Sequence, residues 1–84
     1  MKNKLTILTG ANGQVGSFIA HQLAEKNEPL LLLYHKNFNR IEDLADKEKV
    51  MLISCNLEKL EDVNTAIHYA AENLAAVPAF LIHT

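Results

Sequence analysis

The sequence predicts an α/β fold with a doubly wound parallel sheet. Three observations lead there. Short, near-continuously apolar runs alternate with longer segments of helical period, as in strand–helix–strand units. A glycine-spaced turn joins the first run to the first helical segment, and both prolines stand just ahead of apolar runs.

The first strand is "KLTILT", Lys4–Thr9, apolar enough to be covered on both faces. Residues 14–26 follow as an amphipathic helix, in which Val15, Ile19 and Leu23 recur every fourth residue while Ser17, His21 and Glu25 fall elsewhere around the axis. Pro29 stops that helix without removing a central ladder bond, and "LLLLY", Leu30–Tyr34, is the second strand. Phe38, Ile41 and Leu44 predict a shorter helix over 38–47, and "VMLIS", Val50–Ser54, is the third strand. A helix over 59–76 carries Val63, Ile67, Ala70 and Leu74 on one stripe, with Glu61 and Asp62 near its positive N-terminal end. Pro78 then precedes the fourth strand, "AFLIH", Ala79–His83. The order is β-α-β-α-β-α-β. With right-handed crossovers the strands lie 3-2-1-4, and the chain reverses direction between strands 1 and 4. That reversal opens a crevice outside the carboxyl ends of the strands, where ligands of such sheets sit.

With 84 residues the chain has room for one domain and one core. A chain this short buries roughly 60–65% of its unfolded surface, so its stability is expected to be marginal. Eight basic and ten acidic residues, dispersed along the chain for a net charge of −2, point to neither nucleic acid nor an acidic membrane as partner. No uncharged apolar run reaches bilayer length and the first 20 residues lack a signal-peptide core, so a cytoplasmic location and no membrane association are expected. Cys55 stands alone and reads as apolar filler. His21, His35, His68 and His83 sit on different elements without ligand spacing, so no metal site is expected. The adjacent acids Glu42-Asp43 and Glu61-Asp62 diverge by roughly 100° on a helix and cannot flank one substrate.

The turn "TGANGQVG", Thr9–Gly16, carries the chemistry. A tight strand-to-helix corner, close approach of a diphosphate and close helix–sheet packing each call for a residue without a side chain, and Gly10, Gly13 and Gly16 can fill these roles. A helix starting near Gln14 would aim its free N–H groups and positive dipole end at the phosphates, worth about 0.3–2 kcal/mol besides the hydrogen bonds. Gly10 and Gly16 are separated as in G-x-x-x-x-x-G, and no lysine precedes Ser17, so the turn is not a P-loop. Strands 1 and 3 end without the acids of a phosphoacceptor site. The spacing inside a βαβ unit of about 30 residues predicts a dinucleotide site in a Rossmann-like fold.

"TGANGQVG" resembles the T-G-x-x-G-x-x-G cofactor turn of the short-chain dehydrogenase/reductase family, and "SCNLEKLEDVNTAI" is similar to that family's third strand and following helix. The resemblance runs along the whole chain in order, over the amino-terminal part of a typical member. It implies a partial NAD(P)-binding Rossmann domain over residues 1–84, with pyrophosphate contacts from Thr9, Gly10, Asn12, Gly13, Gln14, Val15 and Gly16. It also implies an adenine site at Asn56 and Leu57 and a ribose contact at the end of strand 4. Asn56 stands where the family generally has Asp, and His83-Thr84 where many members have Asn-Asn. Asn56 also reads as a turn residue ahead of the third helix.

The end of strand 2 selects between cofactors. NAD-selective sites place an acid ~20 residues beyond the glycines, whereas a 2′-phosphate needs cations or donors. Here Tyr34 is followed by His35, Lys36 and Asn37, with Arg40 close behind, so NADP is preferred over NAD. The alternative is that "HKNFNR" is a solvated loop with Asn37 or Asn39 as a helix cap.

The resemblance implies catalysis by a Ser and a Tyr-x-x-x-Lys pair beyond strand 4, with hydride supplied by the cofactor. Tyr34 is followed four residues on by Phe38 and Tyr69 by Asn73, so no catalytic residue is assigned and the chain is expected to be inactive alone. The expectation is an amino-terminal fragment or truncated product, whose exposed fourth strand self-associates or pairs with a missing carboxyl-terminal half. The alternative functions are a non-enzymatic NADP-responsive regulator and a structural α/β module.

Overall fold

A computed structural model describes residues 3–84 of the chain, so residues 1 and 2 of the expected domain lie outside the described residues. Seven elements follow one another: β1 (Asn3–Leu8), α1 (Gln14–Ala24), β2 (Leu30–Tyr34), a 3-10 turn (Glu42–Asp46), β3 (Val50–Ser54), α2 (Leu60–Asn73) and β4 (Ala76–Ile82). The four strands form one parallel sheet in the order β3-β2-β1-β4, as the crossovers require.

Strand β2 shows why the apolar runs are continuous. Leu30 and Leu32 enter a core with Leu8, Ala20, Ala24, Ile41 and Leu44 on one face of the sheet. Leu31 and Leu33 enter another with Leu5, Ile7, Ala66 and Ala70 on the opposite face. Successive side chains point to opposite faces, and both faces are covered, so every position must be apolar.

The structure corrects five boundaries or faces. In α1 the buried residues are Gly16, Ala20 and Ala24, while Val15 is 66% exposed. Ile19 and Leu23 only flank the core. The helix lies too close to the sheet for large side chains on its inner stripe. It ends at Ala24 rather than residue 26, with Asn27 in the left-handed region at φ 55°.

The helix expected over 38–47 is one 3-10 turn, Glu42–Asp46. Phe38, Ile41 and Leu44 are spaced by three, the period of a 3-10 helix rather than of an α-helix. Ile41 and Leu44 are buried by it, and Phe38 instead packs against Tyr34, ring centroids 5.3 Å apart and planes tilted by 38°.

The last helix stops at Asn73 rather than 76, because Ala75 at φ 50° turns the chain and Ala76 already begins β4. Pro78 therefore lies inside β4 rather than ahead of it. It pairs opposite Leu5, where the register of β1 against β4 shifts. A bulged position on an edge strand spares proline a ladder bond it cannot donate.

Candidate functional site

The carboxyl ends of β1, β2 and β3 open onto one cleft of about 290 Å³. Gly10 forms one wall, Tyr34 and His35 the end of β2, and Cys55, Asn56 and Leu57 the segment leaving β3. Four residues singled out from the sequence, Gly10, His35, Asn56 and Leu57, are thus brought together.

Gly10 adopts φ 61°, the left-handed conformation that glycine enters without strain. Gly13 is the N-cap of α1 in extended conformation, and no side chain caps the helix. A Cβ on Gly13 would meet only the Gly10 carbonyl oxygen, at 3.5 Å, so this position leaves the approach to the turn open. A Cβ on Gly16 would lie 1.9 Å from that same oxygen. The three glycines therefore serve a sharp corner, an open approach and a close helix contact respectively.

The Ala11 N–H donates to the Leu33 carbonyl at 3.1 Å and the Gly13 N–H to that of Gly10 at 3.1 Å, which fixes the turn. Among the described residues no acceptor takes the N–H groups of Gln14, Val15 and Gly16, and the first turn of α1 contains no acid. An uncapped helix start next to a side-chain-free corner is a cradle for a diphosphate, so the residues present fit a dinucleotide.

Other sequence-singled residues stand elsewhere. The Thr9 side chain is buried and turns away from the cleft toward β4, its hydroxyl 2.6 Å from His83 Nδ1. The Thr84 hydroxyl donates to the Thr9 carbonyl at 2.6 Å and lies 3.2 Å from that of Gly10. His83 and Thr84 thus brace the turn from its carbonyl side and leave its N–H side free. Lys36 and Asn37 are exposed beyond the cleft lining. Asn56 Oδ1 accepts from the Glu58 N–H at 3.0 Å, making the turn expected of it and engaging one lone pair of that oxygen.

Three cleft features were missed in the sequence. Glu58, Tyr34 and Cys55 also line the cleft, and Cys55 is a buried free thiol. Burial raises the Cys55 pKa and the nearby Asp62 carboxylate adds to the rise, so the thiol is held in its unreactive protonated form. The position of Glu58, two residues beyond Asn56 in a turn, was the available signal.

Outside the cleft lining, His21 links α1 to the 3-10 turn. Its Nδ1 lies 2.7 Å from the Ser17 carbonyl oxygen and its Nε2 3.0 Å from Asp43 Oδ2. The Ser17 carbonyl raises the His21 pKa above its ordinary 6.5, and Asp43 and Glu25 add to the rise against partial desolvation. The folded-state value lies above the unfolded one, so this contribution is complete below about pH 6.5 and fades as pH rises through the folded-state pKa. Exposed pairs contribute about 0.2–1 kcal/mol. Thermal melts should therefore lose up to a few degrees on passing from pH 6 to pH 8.5. Asp43→Asn should reduce that slope without abolishing it, since the Ser17 carbonyl stays in place, and an equal slope in the variant would refute the link.

Among the described residues no three His, Cys, Asp or Glu side chains gather as a metal site. No described helix is long and apolar enough to cross a membrane.

The family model for the NAD dependent epimerase/dehydratase family matches residues 6–79. No curated protein matches the sequence. Among solved structures, the NADPH-dependent 3-quinuclidinone reductase of Rhodotorula rubra is 31% identical, with a TM-score of 0.72 over 89% of this chain and 30% of its own. A protein of Haemophilus influenzae assigned as a D-mannonate oxidoreductase, solved with bound NAD, is 28% identical, with a TM-score of 0.76 over 96% of this chain and 30% of its own. A structure from Bacillus thuringiensis assigned as a 3-oxoacyl-reductase reaches a TM-score of 0.81 over 98% of this chain and 36% of its own. At 17% identity that likeness concerns the fold alone. The chain spans about a third of the length of the solved structures it matches.

Proposed function

The chain belongs to the NAD dependent epimerase/dehydratase family, and from that premise we propose that it binds NADP(H) in preference to NAD(H) as the cofactor-binding portion of an oxidoreductase acting on a carbonyl/alcohol pair. The observation that carries this reading is the uncapped, acid-free start of α1 against Gly10 and Gly16. The pyrophosphate would take the N–H groups of Gln14, Val15 and Gly16. The adenine end would enter the cleft at Asn56, Leu57 and Glu58, where the second lone pair of Asn56 Oδ1 and the Glu58 carboxylate can accept from an exocyclic amine. No acid closes the end of β2, and His35, Lys36, Asn37 and Arg40 offer donors to a 2′-phosphate. When bound, the cofactor supplies hydride chemistry; the residues described here orient it and assign no proton transfer.

Calorimetric titration with NADPH and NADH tests the proposal. Tighter binding of NADPH is expected. Preference for NADH would overturn the selectivity, and absence of binding by both would overturn the function.

Self-association is part of the same proposal. Among the described residues strand β4 pairs only with β1, and its Val77, Phe80 and Leu81 are 46%, 54% and 64% exposed. Pro78 blunts the first half of this edge, so the free segment is Ala79–Ile82. A second copy is expected to cover it, with sedimentation showing a dimer that Phe80→Glu dissociates. A wild-type monomer across a wide concentration range would exclude this interface.

A further inference from the structure

The segment that follows β2 raises a positional problem. Residues His35 to Arg40 are all exposed and carry no regular structure, yet they hold every donor proposed for selectivity. Hydrogen bonds and packing hold them at only a few points. At the start the Ser54 hydroxyl donates to the His35 carbonyl at 2.8 Å, and the Phe38 ring packs at a tilt against Tyr34. At the end Ile41 is buried. Between them Asn12 makes both contacts that join the segment to the glycine turn. Its Oδ1 accepts from the Arg40 backbone N–H at 2.7 Å, and its Nδ2 donates to Asn39 Oδ1 at 3.1 Å.

Asn12 is well placed to anchor. It stands between Ala11, which is buried with its N–H on the Leu33 carbonyl, and Gly13, which caps α1. Its own backbone is therefore held by the sheet and the helix, while its amide offers an acceptor and a donor in opposite directions. The same amide links the turn proposed for the pyrophosphate to the segment proposed for the 2′-phosphate.

Resting on the reading of function above, we infer that Asn12 is a positioning residue for cofactor selectivity: its side chain fastens the segment after β2 to the glycine turn and so fixes where Arg40 stands relative to the ribose 2′ position. Binding at the two places is then coupled in both directions. A diphosphate that settles the turn also settles the segment, and a 2′-phosphate that holds the segment steadies the turn.

The test titrates wild type, Asn12→Ala and Asn39→Ala with NADPH and with NADH, together with thermal melts and hydrogen exchange at the Arg40 amide. In Asn12→Ala the NADPH-to-NADH affinity ratio should fall about tenfold and exchange at Arg40 should quicken without ligand, two readouts that a general loss of stability does not move together. Asn39→Ala keeps the Arg40 bond and should lower the ratio about threefold. An unchanged ratio in Asn12→Ala, or equal weakening toward both nucleotides, would overturn the inference. Should that variant not fold, an unchanged ratio in Asn39→Ala overturns it instead. A wild type that binds neither nucleotide overturns the function itself, which the missing wild-type signal distinguishes.

Discussion

Replacing Gly16 with alanine is expected to lower the melting temperature by about 12–24 °C and to abolish dinucleotide binding, at a cost of about 3 kcal/mol or more. The added Cβ would stand 1.9 Å from the Gly10 carbonyl oxygen, 2.8 Å from its carbon and 3.0 Å from the Thr84 hydroxyl. That carbonyl cannot retreat easily, since it accepts from the Gly13 N–H and lies 3.2 Å from the Thr84 hydroxyl. The helix must then move off the turn, which takes its N–H groups away from the phosphates. Gly13→Ala is the contrasting control, because its Cβ meets ordinary contact distance and its φ is −72°. It should fold with less than about 1 kcal/mol of change, so weaker nucleotide binding in that variant would report the open approach alone. A wild-type melt for Gly16→Ala, followed by circular dichroism, would refute the close contact.

Leu31→Ala is expected to destabilise by about 2–5 kcal/mol, from lost transfer free energy and the cavity left behind. Leu31 is fully buried in β2 between Ile7 and Met51 on the neighbouring strands, over the Ala66 and Ala70 stripe of α2. For 84 residues at about 0.05–0.15 kcal/mol each, total stability is about 4–13 kcal/mol, so this one truncation removes a large share. Leu60→Ala, at a position 73% exposed, should stay within about 0.5 kcal/mol. Urea denaturation separates the two, and equal midpoints would contradict the assignment of β2 to the centre of both cores.

Strands β1 to β3 were legible because continuous apolar runs suit a sheet covered on both faces, and the strand order followed from right-handed crossovers. The glycine turn was legible because its spacing encodes backbone requirements rather than side-chain preferences. The inner face of α1 was not, since a hydropathy stripe ranks Val15 above Ala20 and Ala24, while the close contact at Gly16 rewards the smaller residues. Pro78 misled for a similar reason: its usual meaning as a strand boundary yields where an edge strand shifts register. Within the site, the convergence of Gly10, His35, Asn56 and Leu57 followed from the strand order. The contacts of Asn12 did not, because its partners, Asn39 and Arg40, lie 27 and 28 residues away on an irregular segment with no periodic signal.

The bracing of Thr9 by His83 joins residues 74 positions apart, and this sets the order in which the molecule can mature. A ribosome releases the amino end first, so β1, α1 and β2 emerge while the flank of β1 that will receive β4 still faces solvent. Pairing across so long a separation is slow to form. Until β4 emerges, β1 stays open on one side, a bare strand edge of the kind that invites pairing with other chains.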